Sequence, residues 1–386
     1  MNTHARPTED RGFPRPVPTW VYSLAALGIA VGALAFVTGL RTDPAATWRA
    51  LFINFLFWTS LACGAVTWSV AFRVARATWT APINQMGHAM TRFLPVLLLV
   101  FAALFLGRRY LFPWIGTDLG ARACWLDARF MFARDGLGLL LLTLLSFAFV
   151  RAYEQKDASR RLSVIGVLLL FTYVWVFTLL GFDLVMSLLP VWHSALFGGY
   201  FALGGLYLGI AALAVMAVSL RGWMGVEARV GTGQFRDLGN LLMAFAMAMT
   251  YFFYSQALPI WYENLPPEIV FAIPRIRLQP WLALSWVLLF TCYLGVFALL
   301  VVREMKERPA TLCAVALVAL AGMGLERYLL VTPSLAPADT AFPIRLVLIG
   351  LGFLGALVLT TAPFLARTPA VSELDLALKA EQELWR

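Results

Sequence analysis

Charge is what this sequence has least of. Asp, Glu, Lys and Arg make up 13% of its 386 residues, while 61% are hydrophobic; a soluble globular domain carries about 25% charged residues. So much apolar surface cannot be hidden in water, which excludes a soluble fold. Histidine is scarcer still, with three residues, and there are four cysteines. Cys63, Cys124, Cys292 and Cys313 stand far apart, with no C-x-x-C and no C-x-x-C-H, so an iron–sulfur cluster or a covalent haem lacks its ligands. Bis-histidine haem needs two imidazoles at one depth. His4 falls in the N-terminal tail, His88 in the expected loop before the third apolar run and His193 at the opposite face, so the chain is expected to bind no haem and no metal. No Gly-rich phosphate loop, H-E-x-x-H or G-x-S-x-G is present, which removes nucleotide and hydrolase chemistry. The net charge of +9 does not point to nucleic acid, because the cations sit between apolar runs or at their ends, where they set topology. No cleavable apolar segment precedes Trp20, so the first run is expected to stay as a span.

What is abundant is apolar sequence in lengths of about 20 residues, enough to cross a bilayer as a helix. Such runs lie near Trp20 to Leu40, Ala50 to Phe72, Arg92 to Phe112, Asp135 to Val150 and Leu162 to Leu189. Five more lie near Ser194 to Leu220, Asp237 to Tyr262, Trp281 to Val302, Ala310 to Val331 and Phe342 to Leu365. Loops such as Arg41-Thr-Asp-Pro44, Leu265-Pro-Pro-Glu268 and Lys306-Glu-Arg-Pro309 punctuate them. The expected fold is an all-α integral membrane protein of about ten transmembrane helices, because an open sheet would leave backbone polar groups unpaired in lipid. Residues 1–19 read as a polar tail, 20–365 as the membrane domain and 366–386 as a second tail. Counting spans puts roughly 19 of the 30 Lys and Arg on the side of both termini and roughly 11 opposite, which predicts cytoplasmic termini.

Few ionisable residues fall within the runs, and each is a candidate because charge in a bilayer is costly. Asp183 ends a long apolar stretch, and His193 follows the helix-ending Pro190. Glu263 closes the seventh run, and Glu326 stands beside Arg327 in the ninth. A carboxylate and an imidazole at the outer side can take protons and pass them on; against this, Asp183 can pair with an arginine or cap a helix, and His193 can be an interfacial residue. Tyr251, Tyr254 and Ser255 recur on one helix face and either line a polar cavity or make interhelical hydrogen bonds, the second being favoured. The segment from Arg108 to Arg134, with Arg109, Arg122 and Arg129, runs against the charge bias. Either it lies on lipid headgroups or it docks an extramembrane partner through its arginines and aromatics. Leu189-Pro-Val-Trp-His193 is echoed by Leu258-Pro-Ile-Trp-Tyr262, a helix-ending proline with an interfacial tryptophan.

The stretch Phe182 to Phe201 resembles the D-x-x-M-S-L-x-P-x-W-x-S-x-x-x-G-x-Y signature of the second NrfD/PsrC-like membrane subunit of alternative complex III, a bacterial quinol:cytochrome c oxidoreductase. Asp237 to Phe245, Tyr254-Ser-Gln256 and Ile260 to Glu268 are similar to its D-L-G-K-L-L-x-A-F…F-S-Q…I-W-Y-x-N-L-P-E stretch. The resemblance implies two four-helix bundles plus peripheral helices in a bacterial inner membrane. It implies as partners an NrfD-like first membrane subunit, an iron–sulfur subunit and a multihaem cytochrome c subunit. It implies support of assembly, with quinone or quinol contact or proton transfer. Two departures stand out: Leu189 occupies a position usually held by Asp, and Trp192-His193 is more similar to the first, quinol-binding subunit. A purely structural anchor and a secondary transporter are the competing readings; the transporter would show inverted repeats and a polar midplane, neither of which is visible.

Overall fold

In hydrocarbon a helix is the one open-ended way for a single segment to satisfy all its own backbone groups, and each apolar run folds as one. A computed structural model describes residues 15–155, 160–263, 269–339 and 344–384. His4, most of the N-terminal tail and the Leu265–Glu268 loop lie outside them. Among the described residues ten helices are long and apolar enough to cross a membrane: α1 (Thr19–Thr42), α2 (Pro44–Val74), α3 (Ala81–Leu104), α4 (Ala128–Glu154), α5 (Arg160–Leu188), α6 (Phe197–Leu220), α7 (Thr232–Glu263), α8 (Trp281–Val301), α9 (Pro309–Leu335) and α10 (Ile344–Arg367). A short amphipathic α11 (Glu373–Leu384) follows. The protein is an all-α integral membrane protein. An even number of spans leaves both ends of the described chain on one face, called here the terminal face.

Packing sorts the spans into two four-helix rings. The first ring is α2, α3, α4 and α5; the second is α6, α7, α8 and α9. They join where α2 lies against α6, and α1 with α10 forms a peripheral pair leaning on α2. Small residues set these closest approaches, since association in lipid depends on packing rather than on the hydrophobic effect. Gly64 of α2 meets the backbone of Gly205 and Gly209 in α6, and a Cβ at Gly32 of α1 would come within 2.7 Å of the Gly352 Cα in α10.

Two helix starts differ from expectation. The third helix begins at Ala81, not Arg92, and the fourth at Ala128, not Asp135. The first added segment carries Asn84, Gln85 and His88 but is buried against neighbouring helices, so hydropathy alone stops short of it; the second is interrupted by Arg129 and Arg134. His88, expected in a loop, is therefore fully buried inside α3. The C-terminal segment read as a tail also packs inward: Ala370, Val371, Leu374 and Asp375 are buried.

Pro333 sits inside α9 and has no N–H to give the Leu329 carbonyl four residues earlier. Buried Arg275, on the short helix Ile273–Arg277, supplies the missing donors. Its Nε donates to the Leu329 carbonyl at 2.9 Å, and its Nη2 donates to the Leu330 carbonyl at 2.8 Å and the Ser334 hydroxyl at 2.9 Å.

Candidate functional site

Asp183 is placed by a local change of helix type. The α-helical hydrogen-bond pattern of α5 gives way to a π turn over Gly181–Val185 and a 3-10 turn over Met186–Leu188, and Pro190 prevents further helix. Such π turns are frequent at functional sites. The widened turn aims the Asp183 carboxylate at α4, where Arg134 donates to Oδ2 from Nη2 at 2.7 Å and from Nε at 3.1 Å. Trp125 donates its indole N–H to Oδ1 at 2.9 Å. The Arg134 guanidinium also stacks on the Trp125 ring at 3.7 Å and the Phe130 ring at 4.7 Å. The pairing of Asp183 with an arginine, one of the two readings of its sequence context, is what the fold contains.

Next to this ion pair stands a second carboxyl group that the sequence did not single out. Asp135 is 2% exposed, lies within reach of the Asp183 carboxyl and receives no N–H or O–H from other described groups. Its nearest cation is again Arg134, whose Nε is 3.9 Å away. Two carboxyl groups thus share one guanidinium, and the set is neutral when the acids hold one proton between them. Carboxyl pairs elsewhere in proteins exchange protons in this way.

Asp183, but not Asp135, lines a cavity of about 440 Å³ at the face opposite the termini, together with Arg122, Trp125, Ser187, Trp192 and His193 among others. The structure therefore brings Asp183, His193 and Arg122 to one site. His193 is exposed at the cavity rim, and Arg122 donates to the Pro190 carbonyl that ends α5. Trp192 is buried against Phe271, ring centroids 4.0 Å apart.

The other sequence candidates lie elsewhere. Glu326 and Arg327 are fully buried in α9 and paired at 2.7 Å. Glu326 lies beside the Tyr200 hydroxyl, which is 2.9 Å from that of Tyr293, and Arg327 reaches Ser60 at 3.3 Å. This second polar cluster joins α2, α6, α8 and α9, with Tyr293 on a π-helical stretch, Leu288–Gly295. Glu263 is exposed at the end of α7. Tyr251 and Tyr254, 65% and 59% exposed, face outward from α7, where the favoured expectation has them bonding between helices; among the described residues neither bonds to another helix. Of the arginines expected to form a surface or docking segment, Arg134 turns inward to Asp183, Arg122 holds Pro190, and Arg108 donates to its own Phe105 carbonyl at 2.8 Å. Arg109 and Arg129 are exposed.

Sequence reasoning missed Asp135 because it stood next to Arg134 at the edge of a hydropathy window. The available signal was an Arg-Asp pair with apolar residues on both sides. Among the described residues no three His, Cys, Asp or Glu side chains are placed to hold a metal ion. Compared with models of known protein families the chain matches none, and no curated protein matches it.

Proposed function

We propose that this chain is the second NrfD-like membrane subunit of a bacterial quinol:cytochrome c oxidoreductase complex and that its Asp135–Asp183 pair handles protons at the face opposite the termini. One observation carries the reading: a buried carboxyl pair sharing a single guanidinium, one member of which, Asp183, lines an open cavity with His193 at its rim. Burial of charge inside a bilayer is costly, and residues kept there usually serve ion or proton traffic. The cavity walls are largely aromatic and apolar with a few polar groups, as pockets for organic ligands are, so a quinol ring is the ligand class that fits. In this reading Asp183 is the fixed member, held by three donors. Asp135, with free lone pairs, accepts the proton, and His193 relays it to water.

The partners are an NrfD-like first membrane subunit, an iron–sulfur subunit and a multihaem cytochrome c subunit, assembled in the bacterial inner membrane with cytoplasmic termini. The motifs over Phe182 to Phe201 and Asp237 to Phe245 support this assignment. The test is Asp135→Asn in the assembled complex. Quinol oxidation or its proton release should slow by about 10²-fold, as expected for lost acid–base assistance. Normal turnover with normal proton release in a fully assembled Asp135→Asn complex would leave the chain as a structural anchor.

A further inference from the structure

At the terminal face lies a second set of buried polar groups, away from the cavity just described. Asn84, Gln85, His88 and Thr91 of α3 are at most 3% exposed. Both side-chain polar atoms of Asn84, both ring nitrogens of His88, the Gln85 Oε1 and the Thr91 Oγ1 make no hydrogen bond to another described group. At about 100° per residue these four positions fall within about 120° of arc, so they share one face of the helix. They also descend about 10 Å into the bundle, at about 1.5 Å per residue. The facing wall is α4: the His88 ring packs against Tyr153 at 4.5 Å and against Phe149 at 5.8 Å.

The mouth of this face is closed by α11. Its Asp375 accepts a hydrogen bond from the Tyr153 hydroxyl, lies beside Asn84, and has Arg73 Nη1 at 3.8 Å from its other oxygen. Arg73 Nη1 itself makes no hydrogen bond. A single orphaned polar atom is unremarkable, but seven on one side of one ring are not. Each unmet buried donor or acceptor costs about 1–3 kcal/mol, and native proteins meet such groups with internal water. Imidazole, amide and hydroxyl groups along one helix face offer a water molecule the two to four partners it needs.

We infer that α3, α4 and α11 enclose a chamber of bound water running from the terminal face to Thr91, with α11 as its lid and Asp375, Tyr153 and His88 along its wall. The water is the ligand: it bridges Asn84, Gln85, His88 and Thr91, and it gives the buried imidazole proton contact with the terminal face. The chamber stands on its own geometry and goes beyond the quinol reading, so either can fail without the other.

Radiolytic footprinting in ¹⁸O-water tests it on the full chain in lipid nanodiscs, because hydroxyl radicals born from bound water label the side chains beside them. Tyr173 and Tyr207 are equally buried but donate to the backbone carbonyls of Ala202 and Cys292, which makes them dry controls. Prompt labelling of His88 and Tyr153 about ten-fold or more above these controls is the expected result, as water-lined groups should differ from dry ones. Labelling at the control level would overturn the chamber. Removing residues 373–386 should raise His88 labelling further; an unchanged rate would show that α11 is not the lid. If that truncation fails to fold, Leu374→Ser, which loosens the same helix, gives the second readout with the same two outcomes.

Discussion

At the scale of single residues, Asp135 and Asp183 look interchangeable by type but should respond differently to mutation. Asp183→Asn leaves Arg134 buried without its main counter-ion, and breaking a buried pair costs about 3–5 kcal/mol. Asp135→Asn removes a carboxyl that no donor holds, so its thermal unfolding midpoint in detergent should stay near that of the unmodified protein while the Asp183→Asn midpoint falls by several degrees. Equal losses would contradict the division of roles. Asp375 offers a pH test outside the membrane spans. Burial pushes its carboxyl up to about 6, against a usual value of 3.8, despite the Tyr153 hydrogen bond and Arg73, which act the other way. A raised carboxyl means that docked α11 binds the proton more tightly than the free helix does. Docking is therefore strongest below about pH 4 and weakens as pH rises through about 6, by on the order of 3 kcal/mol at full ionisation. Limited proteolysis at the Thr368–Ser372 linker across pH 4.5–7.5 should be slowest at the acid end, and Asp375→Asn should flatten the profile. Sequence reasoning reached Asp183 and His193 because both stand out against apolar surroundings. It passed over Asp135 and put His88 in a loop, because their settings depend on Asp183 and Tyr153, residues far from them along the chain.

At the scale of elements, the sequence made the ten apolar helices legible but not their polar ends. The start of α3 reads Ala81-Pro-Ile-Asn-Gln-Met-Gly-His-Ala-Met90, a composition that a hydropathy window assigns to a loop. It is helical because Pro82 suits a first turn and because Gly87 packs against Ser69 and the Ala65 carbonyl of α2. The two π-helical stretches, Gly181–Val185 and Leu288–Gly295, carry no comparable sequence mark. Pro333 was visible, but its compensation was not, since Arg275 reaches it from another element. This makes a sharp double-mutant test. Arg275→Met should lower stability by about 3 kcal/mol or more through its lost charge-assisted bonds to carbonyls. Adding Pro333→Ala restores a backbone N–H for Leu329 and should recover part of that loss. Strictly additive effects in thermal unfolding would show that the two residues are not serving the same carbonyl.

At the scale of the whole molecule, the two rings and the peripheral α1–α10 pair put different demands on the surface. On the face opposite the termini, Arg122 and Arg134 are used to hold the chain together, which leaves exposed Arg109 and Arg129 for an extramembrane partner in the respiratory reading. Arg109→Glu with Arg129→Glu should release the extramembrane subunits during purification and leave this chain's own melting unchanged. Arg122→Glu should instead lower its melting point by freeing the Pro190 turn. Complexes that survive the double charge reversal would assign Arg109 and Arg129 to lipid phosphates. The glycine contact between α1 and α10 has a consequence in time. Helices are made in order, so the first span enters the membrane with its glycine-lined face bare and waits through the synthesis of eight further spans for its main partner. Every ring closes among earlier helices, yet this pair joins the first and the last of the ten described spans and can form only once α10 has been made. A ribosome that stops early releases a product whose first helix still displays Gly28 and Gly32 to lipid. Small-residue faces of that kind invite other helices, so the peripheral pair doubles as a mark by which a chain that has reached α10 differs from one that has not.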